Sequence, residues 1–106
     1  MSKMERIKSM LKDQPNDAFL LFALAKEYEY LNNWNEAING YQNLLEHHPF
    51  YTGAFYHLAN ALLQEDRIEE AKECYEKGIA ICRQQGDLHA LSELQNAYTN
   101  FEMENL

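Results

Sequence analysis

Apolar residues recur along this chain at the spacing of α-helices. Leu21, Leu24, Ala25 and Tyr28 stand at positions i, i+3, i+4 and i+7, which lie on one face of a helix. The stretch 37–45 carries a second apolar face of the same kind. The pattern predicts an all-α fold of six helices, over residues 2–13, 17–31, 34–47, 51–65, 67–84 and 87–103.

Short polar segments separate the predicted helices. The dipeptides Asn32-Asn33 and Asp66-Arg67 have the composition of turns, and Asn33 and Asp66 are predicted to cap the helices that follow. Near the two ends of the chain, similar signals mark helix termini. Ser2 and Glu5 fit a capping box, and Gly86-Asp87 fits a helix stop followed by a new start.

The chain contains an internal repeat with a period of 34 residues. This period separates Leu24 from Leu58, Ala37 from Ala71 and Tyr41 from Tyr75. The first copy reads Leu21-x-x-Leu24-Ala25-x-x-Tyr28, then Ala37-x-x-x-Tyr41, then Pro49; the second reads Phe55-x-x-Leu58-Ala59-x-x-Leu62, then Ala71-x-x-x-Tyr75. Small residues at Ala25 and Ala37 let two helices approach closely, and Tyr41 is predicted to fill the gap between successive hairpins.

This pattern resembles the tetratricopeptide repeat, which is a pair of antiparallel helices. The resemblance implies an α-α superhelix, in which stacked hairpins bury the apolar faces that one hairpin leaves open. Three positions depart from the pattern: Leu62 replaces a tyrosine, Gly78 stands where Leu44 stands in the first copy, and Arg83 replaces a proline. The missing proline predicts that the last helix of the second repeat is longer.

The register divides the chain into a single domain with capping helices at both ends. Residues 1–14 form a predicted N-terminal capping helix, 18–51 the first repeat, 52–85 the second repeat, and 87–103 a C-terminal capping helix. The last helix copies the first-helix pattern with a shift of two residues, as Leu91-x-x-Leu94-Gln95-x-x-Tyr98. A chain of 106 residues has room for one such domain and a modest core.

The resemblance also implies a binding groove, because the first helix of each hairpin lines the concave side of such arrays. The predicted groove residues are Phe19, Phe22, Lys26, Tyr30, Tyr56, Asn60, Gln64, His89, Ser92 and Asn96. Phe22 and Tyr56 occupy equivalent positions in the two repeats and lie outside the apolar helix face that is predicted to form the core. Phe19 and Phe22 each have two interpretations: they face the groove, or they pack against Met4, Ile7 and Leu11 of the N-terminal helix.

Charge and composition narrow the class of partner. The net charge of −8, with no cluster of Lys and Arg, disfavours nucleic acid and anionic membranes. No apolar run is long enough to cross a bilayer, and the first residues are charged where a signal peptide is apolar, so a cytoplasmic location is expected. The cysteines, Cys74 and Cys82, are eight residues apart on one predicted helix, which is too far for a disulfide bond between them.

The reactive residues indicate no enzyme, cofactor or metal site. His47 and His48 are expected to interact with the C-terminal dipole of their helix. His57 and His89 lack a Cys, Asp or His at a zinc-like spacing. The chain also has no glycine-rich phosphate loop among its four glycines. The sequence therefore favours a binding role over a catalytic one.

The leading hypothesis is a protein-interaction module that binds a peptide or helix of a partner protein in the groove. A carboxylate clamp for an acidic chaperone tail is disfavoured, because His89, Ser92 and Asn96 supply no basic pair; a ligand that is not strongly acidic fits better. The alternative is self-association through the groove or the end caps. That alternative relies on an apolar patch on the last helix, formed by Leu94, Tyr98, Phe101 and Met103. A third hypothesis is a scaffold for an enzyme complex.

Overall fold

The computed structural model describes all 106 residues and contains six α-helices joined by short turns. The helices are Lys3–Asp13 (α1), Ala18–Tyr30 (α2), Trp34–His47 (α3), Ala54–Gln64 (α4), Ile68–Gln85 (α5) and Leu88–Glu104 (α6). Each helix packs against the next one in the chain as an antiparallel hairpin, and α4 also contacts α6. The prediction of an all-α fold of six helices in hairpins is confirmed.

Helix α4 begins later than the sequence indicates. The segment from Tyr51 to Gly53 forms a turn, in which the backbone N–H of Ala54 donates to the carbonyl of Tyr51 at 3.1 Å. Gly53 therefore becomes the N-cap of α4. Helix α5, by contrast, runs for 18 residues, which confirms the extension predicted from the missing proline at Arg83.

The predicted helix caps have mixed outcomes. The Ser2–Glu5 capping box is present in full, and the Asp87 side chain accepts a hydrogen bond from the N–H of Ala90 at 3.1 Å. Asn33 occupies the N-cap of α3, but its side chain makes no capping hydrogen bond.

The prediction that Asp66 caps α5 is wrong, because Arg67 is the N-cap of that helix. Asp66 and Asn32 instead adopt left-handed backbone conformations, with φ of 57° and 58°. Asn and Asp tolerate this conformation better than other side chains do. The two residues are 34 positions apart, so the same turn joins the helices of both repeats.

The core lies between the layers of helices and depends on small residues where the helices approach. Ala25 and Ala37 are fully buried. A Cβ atom on Gly40 would lie 2.9 Å from the Cβ of Ala25, so α2 and α3 approach as closely as side chains permit. Tyr41 is also fully buried, and its ring stacks on that of His57 in the next hairpin. Tyr41 thus fills the gap between hairpins as predicted.

Helix α6 closes the end of the core. Leu94 and Phe101 are buried, so the prediction that they form an exposed patch is wrong. The reason is that α6 turns this face towards α5 and α4, where Phe101 packs on Tyr75 with ring centroids 5.4 Å apart. Of the predicted patch, Met103 stays exposed and Tyr98 is half-buried.

Both cysteines are free and buried. Burial raises the pKa of the Cys74 thiol to about 12, and burial likewise raises the pKa of Cys82. Both groups are therefore protonated and weakly nucleophilic at neutral pH. None of the six helices has the length and apolar content needed to cross a membrane.

Candidate functional site

Helices α2, α4 and α6 form one face of the array, here called the inner face. Helix α4 lies in the middle of this face. The centroid of its His57 ring is 5.6 Å from that of Phe22 in α2, and α4 also packs against α6. These three helices carry all ten residues predicted to line the groove.

An aromatic cluster lies where α2, α3 and α4 meet. It consists of Phe22, Tyr41, Tyr51, Tyr56 and His57. The ring centroids of Phe22 and Tyr51 are 5.4 Å apart. The rings of Tyr56 and His57 pack edge to face, with centroids 5.5 Å apart. Phe22 is half-buried, so it contributes to packing as well as to the surface. Tyr56 is 38% exposed and offers its ring to solvent.

A carboxylate is hydrogen-bonded at the base of the aromatic cluster. The hydroxyl of Tyr41 donates to Oε1 of Glu29 at 2.7 Å, and Nδ1 of His57 lies 3.3 Å from the same oxygen. Partial burial acts to raise the pKa of Glu29. The hydrogen bonds of His57 and Tyr41 and the charges of His57 and Lys26 outweigh it, so that the pKa of Glu29 is lowered from its ordinary value of 4.5.

The lowered pKa of Glu29 predicts a pH-dependent contribution to stability. A carboxyl group with a lower pKa in the folded state stabilises the fold above its unfolded pKa, and this contribution is lost as the pH falls through the folded value. We expect Glu29→Gln to lower the free energy of unfolding by about 1 kcal/mol at pH 7. The difference from the wild type is expected to shrink below pH 4.5. Urea denaturation at pH 7, 5 and 3.5 measures it. A difference that stays constant over this range contradicts the assignment.

A cavity of about 490 Å³ opens between α4 and α6 and is here called the α4–α6 cavity. Three of the predicted groove residues, Tyr56, Asn60 and Asn96, line it together. The other residues that line the cavity are Leu63, Tyr75, Glu93, Ala97, Asn100, Phe101 and Glu104. Its wall therefore combines aromatic rings with side-chain amides and carboxylates, and it contains no basic side chain.

The remaining predicted groove residues are dispersed. Lys26 and Tyr30 line a second cavity of about 470 Å³, together with Lys3, Glu27 and Glu29. Phe19 is 72% exposed, which excludes the interpretation that it packs against the N-terminal helix. The structure brings three other predicted residues into neither cavity, and each is exposed; they are Gln64, His89 and Ser92. A third cavity, of about 400 Å³ between α3 and α5, holds none of the predicted residues.

Sequence reasoning missed several residues of the α4–α6 cavity. Glu93, Asn100 and Glu104 lie on α6 at spacings of three, four and eight residues from Asn96. These are spacings of one helix face, so the signal was present in the sequence. The prediction followed α6 from Asn96 towards His89, so it missed Asn100 and Glu104 and passed over Glu93, which stands next to Ser92.

No group of three or more His, Cys, Asp or Glu side chains is arranged to hold a metal ion. The concentration of aromatic and amide groups suits non-covalent binding. Aromatic side chains supply apolar contact area, and each asparagine amide both donates and accepts hydrogen bonds.

A family model described as Tetratricopeptide repeat matches residues 28–94, which is more than half of the chain. The chain belongs to the tetratricopeptide repeat family. A tetratricopeptide repeat domain protein from Salinibacter ruber, solved by NMR, is 36% identical to it; the match covers 83% of this chain and 89% of the other, with a TM-score of 0.77. Tetratricopeptide repeat domains generally mediate protein–protein interaction and are typically non-catalytic.

Other solved structures share the tetratricopeptide repeat architecture. A protein from Bordetella parapertussis is 25% identical over 99% of this chain and 91% of its own, with a TM-score of 0.87. The TPR2B domain of yeast Sti1, solved in a pHsp70 complex, is 19% identical over 95% of this chain and 81% of its own, also with a TM-score of 0.87. The Sti1 likeness shows the fold alone. No curated protein matches the chain.

Proposed function

We propose that this tetratricopeptide repeat protein binds an extended peptide of a partner protein on its inner face, with the α4–α6 cavity at the centre of the site. The observation that carries the proposal is the meeting of Tyr56, Asn60 and Asn96 in one open cavity. The repeat register and the family resemblance predict all three as groove residues. Their convergence supports a common role.

The chemistry of the cavity suits a peptide backbone better than a purely apolar ligand. An extended peptide exposes N–H and C=O groups in alternation, and each must find a partner when it leaves water. Asn60, Asn96 and Asn100 offer both donors and acceptors to such groups. The half-exposed Tyr56 ring adds apolar area, and aromatic residues concentrate binding energy at interfaces.

The rest of the inner face supports a ligand longer than one side chain. Phe19 and Tyr30 are exposed at opposite ends of α2, with 72% and 81% of their surfaces accessible to solvent. The Sti1 domain, which shares this fold, was solved in a pHsp70 complex. That complex supports the capacity of this architecture to bind a partner.

A selection from a random-peptide display library tests this function. The wild-type protein is expected to enrich a related set of peptides. A Tyr56→Ser, Asn60→Ala double variant is expected to bind these peptides at least about tenfold more weakly, a loss of about 1.4 kcal/mol. Circular dichroism and light scattering check that the variant keeps its fold and its molecular mass.

The matched control is a Phe50→Ser, Asn39→Ala double variant, which removes one aromatic side chain and one amide that are both exposed. Phe50 and Asn39 lie outside the α4–α6 cavity, so this variant is expected to bind like the wild type. Equal binding by both double variants, or enrichment of no peptide, contradicts the proposal. Peptide-independent association of the protein with itself would favour the self-association hypothesis instead.

A further inference from the structure

Equivalent positions at the two junctions between successive hairpins carry different side chains. At the junction between the first and second hairpins, the His57 ring stacks on the Tyr41 ring, with centroids 5.8 Å apart. It also contacts the Phe22 ring, with centroids 5.6 Å apart. The same His57 pairs with the carboxylate of Glu29 at 3.3 Å. The imidazole ring of His57 therefore lies between aromatic rings and a carboxylate. This junction is closed by internal contacts.

The next junction has aromatic residues at the equivalent positions, but no imidazole lines it. Tyr56 and Tyr75 stand 34 positions after Phe22 and Tyr41. In the register of α6, which is shifted by two residues, Glu93 takes the place of His57. A carboxylate therefore lines the α4–α6 cavity where the first junction has an imidazole.

The α4–α6 cavity is negatively charged and has no internal counter-ion. Glu93 and Glu104 line it, and neither forms an ion pair with a basic side chain of the chain. Burial, and to a lesser extent the neighbouring Cys74, Tyr56 and Glu104, raises the pKa of Tyr75 at the wall of the cavity. An aromatic wall with two unpaired carboxylates favours a cation, since cations are attracted both to carboxylates and to the faces of aromatic rings.

We propose that the α4–α6 cavity accepts the side chain of an arginine or lysine from the bound peptide. The cation would lie against Tyr56 and pair with the carboxylate of Glu93, while Glu104, eleven residues further along α6, adds negative charge elsewhere in the cavity. Arginine is favoured over lysine, because its planar guanidinium both stacks on aromatic rings and binds carboxylates with two hydrogen bonds. This inference rests on the proposed function and specifies the ligand of the same site.

Two small probes that differ in charge test the inference directly. N-acetyl-arginine methylamide carries the guanidinium, and N-acetyl-citrulline methylamide replaces it with an uncharged group of nearly the same shape. In titrations of ¹⁵N-labelled protein followed by NMR, the arginine probe is expected to shift the side-chain amide signals of Asn60, Asn96 and Asn100. The citrulline probe is expected to bind about tenfold more weakly or more. Equal binding of the two probes, or shifts confined to other surfaces, overturns the inference.

Matched variants separate a local effect from a general effect of charge. Glu93→Gln with Glu104→Gln is expected to reduce binding of the arginine probe about tenfold. Glu36→Gln with Glu46→Gln changes the net charge equally on α3, away from the cavity, and is expected to leave binding unchanged. An equal loss in both variants overturns the inference, because it would reflect net charge alone.

The display selection distinguishes this inference from the proposed function. Peptides enriched in arginine or lysine at one position, and lost with Glu93→Gln and Glu104→Gln, support both. Peptides that depend on Tyr56 and Asn60 but carry no basic residue overturn the inference and leave peptide binding in place. No enrichment of any peptide overturns both.

Discussion

Replacing Tyr41 with alanine is expected to lower the free energy of unfolding by about 3 to 5 kcal/mol, the range found for removal of a large buried aromatic side chain. Tyr41 is fully buried, and its ring contacts those of Phe22 and His57. The substitution leaves a cavity between two hairpins and removes a hydrogen bond to Glu29. Urea denaturation of the two proteins at pH 7 measures the change.

Tyr41→Phe separates the hydrogen bond from the packing, because it removes the hydroxyl alone. We expect a loss of about 1.5 kcal/mol, since the acceptor is a carboxylate that burial partly shields from water. Tyr98→Phe is the matched control: its hydroxyl donates to the exposed Glu76 at 3.1 Å, and its removal is expected to cost less than about 0.5 kcal/mol. A similar effect of Tyr41→Phe and Tyr98→Phe would contradict the role assigned to the Tyr41–Glu29 bond.

Replacing Gly78 with leucine is expected to destabilise the protein, although it restores the residue found at Leu44 in the first repeat. A Cβ atom at position 78 would lie 2.6 Å from Cδ2 of Leu94 and 2.7 Å from Cβ of Phe55. Leucine improves helix propensity by about 1 kcal/mol over glycine, but overpacking a core costs typically 1 to 3 kcal/mol and sometimes more. With four added carbon atoms and no space for the first, we expect a net loss of about 2 kcal/mol.

Two further variants check that the loss at Gly78 comes from packing. Gly53→Ala adds a Cβ that would have no neighbour nearer than 3.9 Å, and it is expected to change stability by less than about 0.5 kcal/mol. In the Gly78→Leu background, Leu94→Ala removes one of the clashing side chains and is expected to recover part of the lost stability. A gain in stability from Gly78→Leu alone would contradict the observed packing.

Gly78 also illustrates what the sequence could predict. The 34-residue period and the apolar faces predicted the six helices and their pairing in hairpins, because helix periodicity is a local property of the chain. The departure at Gly78 was visible in the sequence, but its cause was not. The space at Gly78 is filled by Phe55 of α4 and Leu94 of α6, which are distant in sequence, and only three-dimensional packing brings them together.

The candidate site was likewise predictable in part. The repeat register identified Tyr56, Asn60 and Asn96, which line one cavity. It did not identify Glu104, because the prediction followed α6 from Asn96 towards His89, and it passed over Glu93, which stands next to the predicted Ser92. The prediction of an exposed apolar patch on α6 was wrong for a related reason. The burial of Leu94 and Phe101 depends on how α6 packs against its neighbours, which local periodicity does not determine.

Site-specific photo-cross-linking in the native host tests the binding role of the inner face most directly. A benzoylphenylalanine side chain replaces Tyr56, whose ring is partly exposed in the α4–α6 cavity, or Gln42, which lines the separate cavity between α3 and α5. The proposed function predicts a covalent adduct with a partner protein from position 56 and none from position 42. Adducts from position 42 alone, or no adduct from either position, would contradict peptide binding on the inner face.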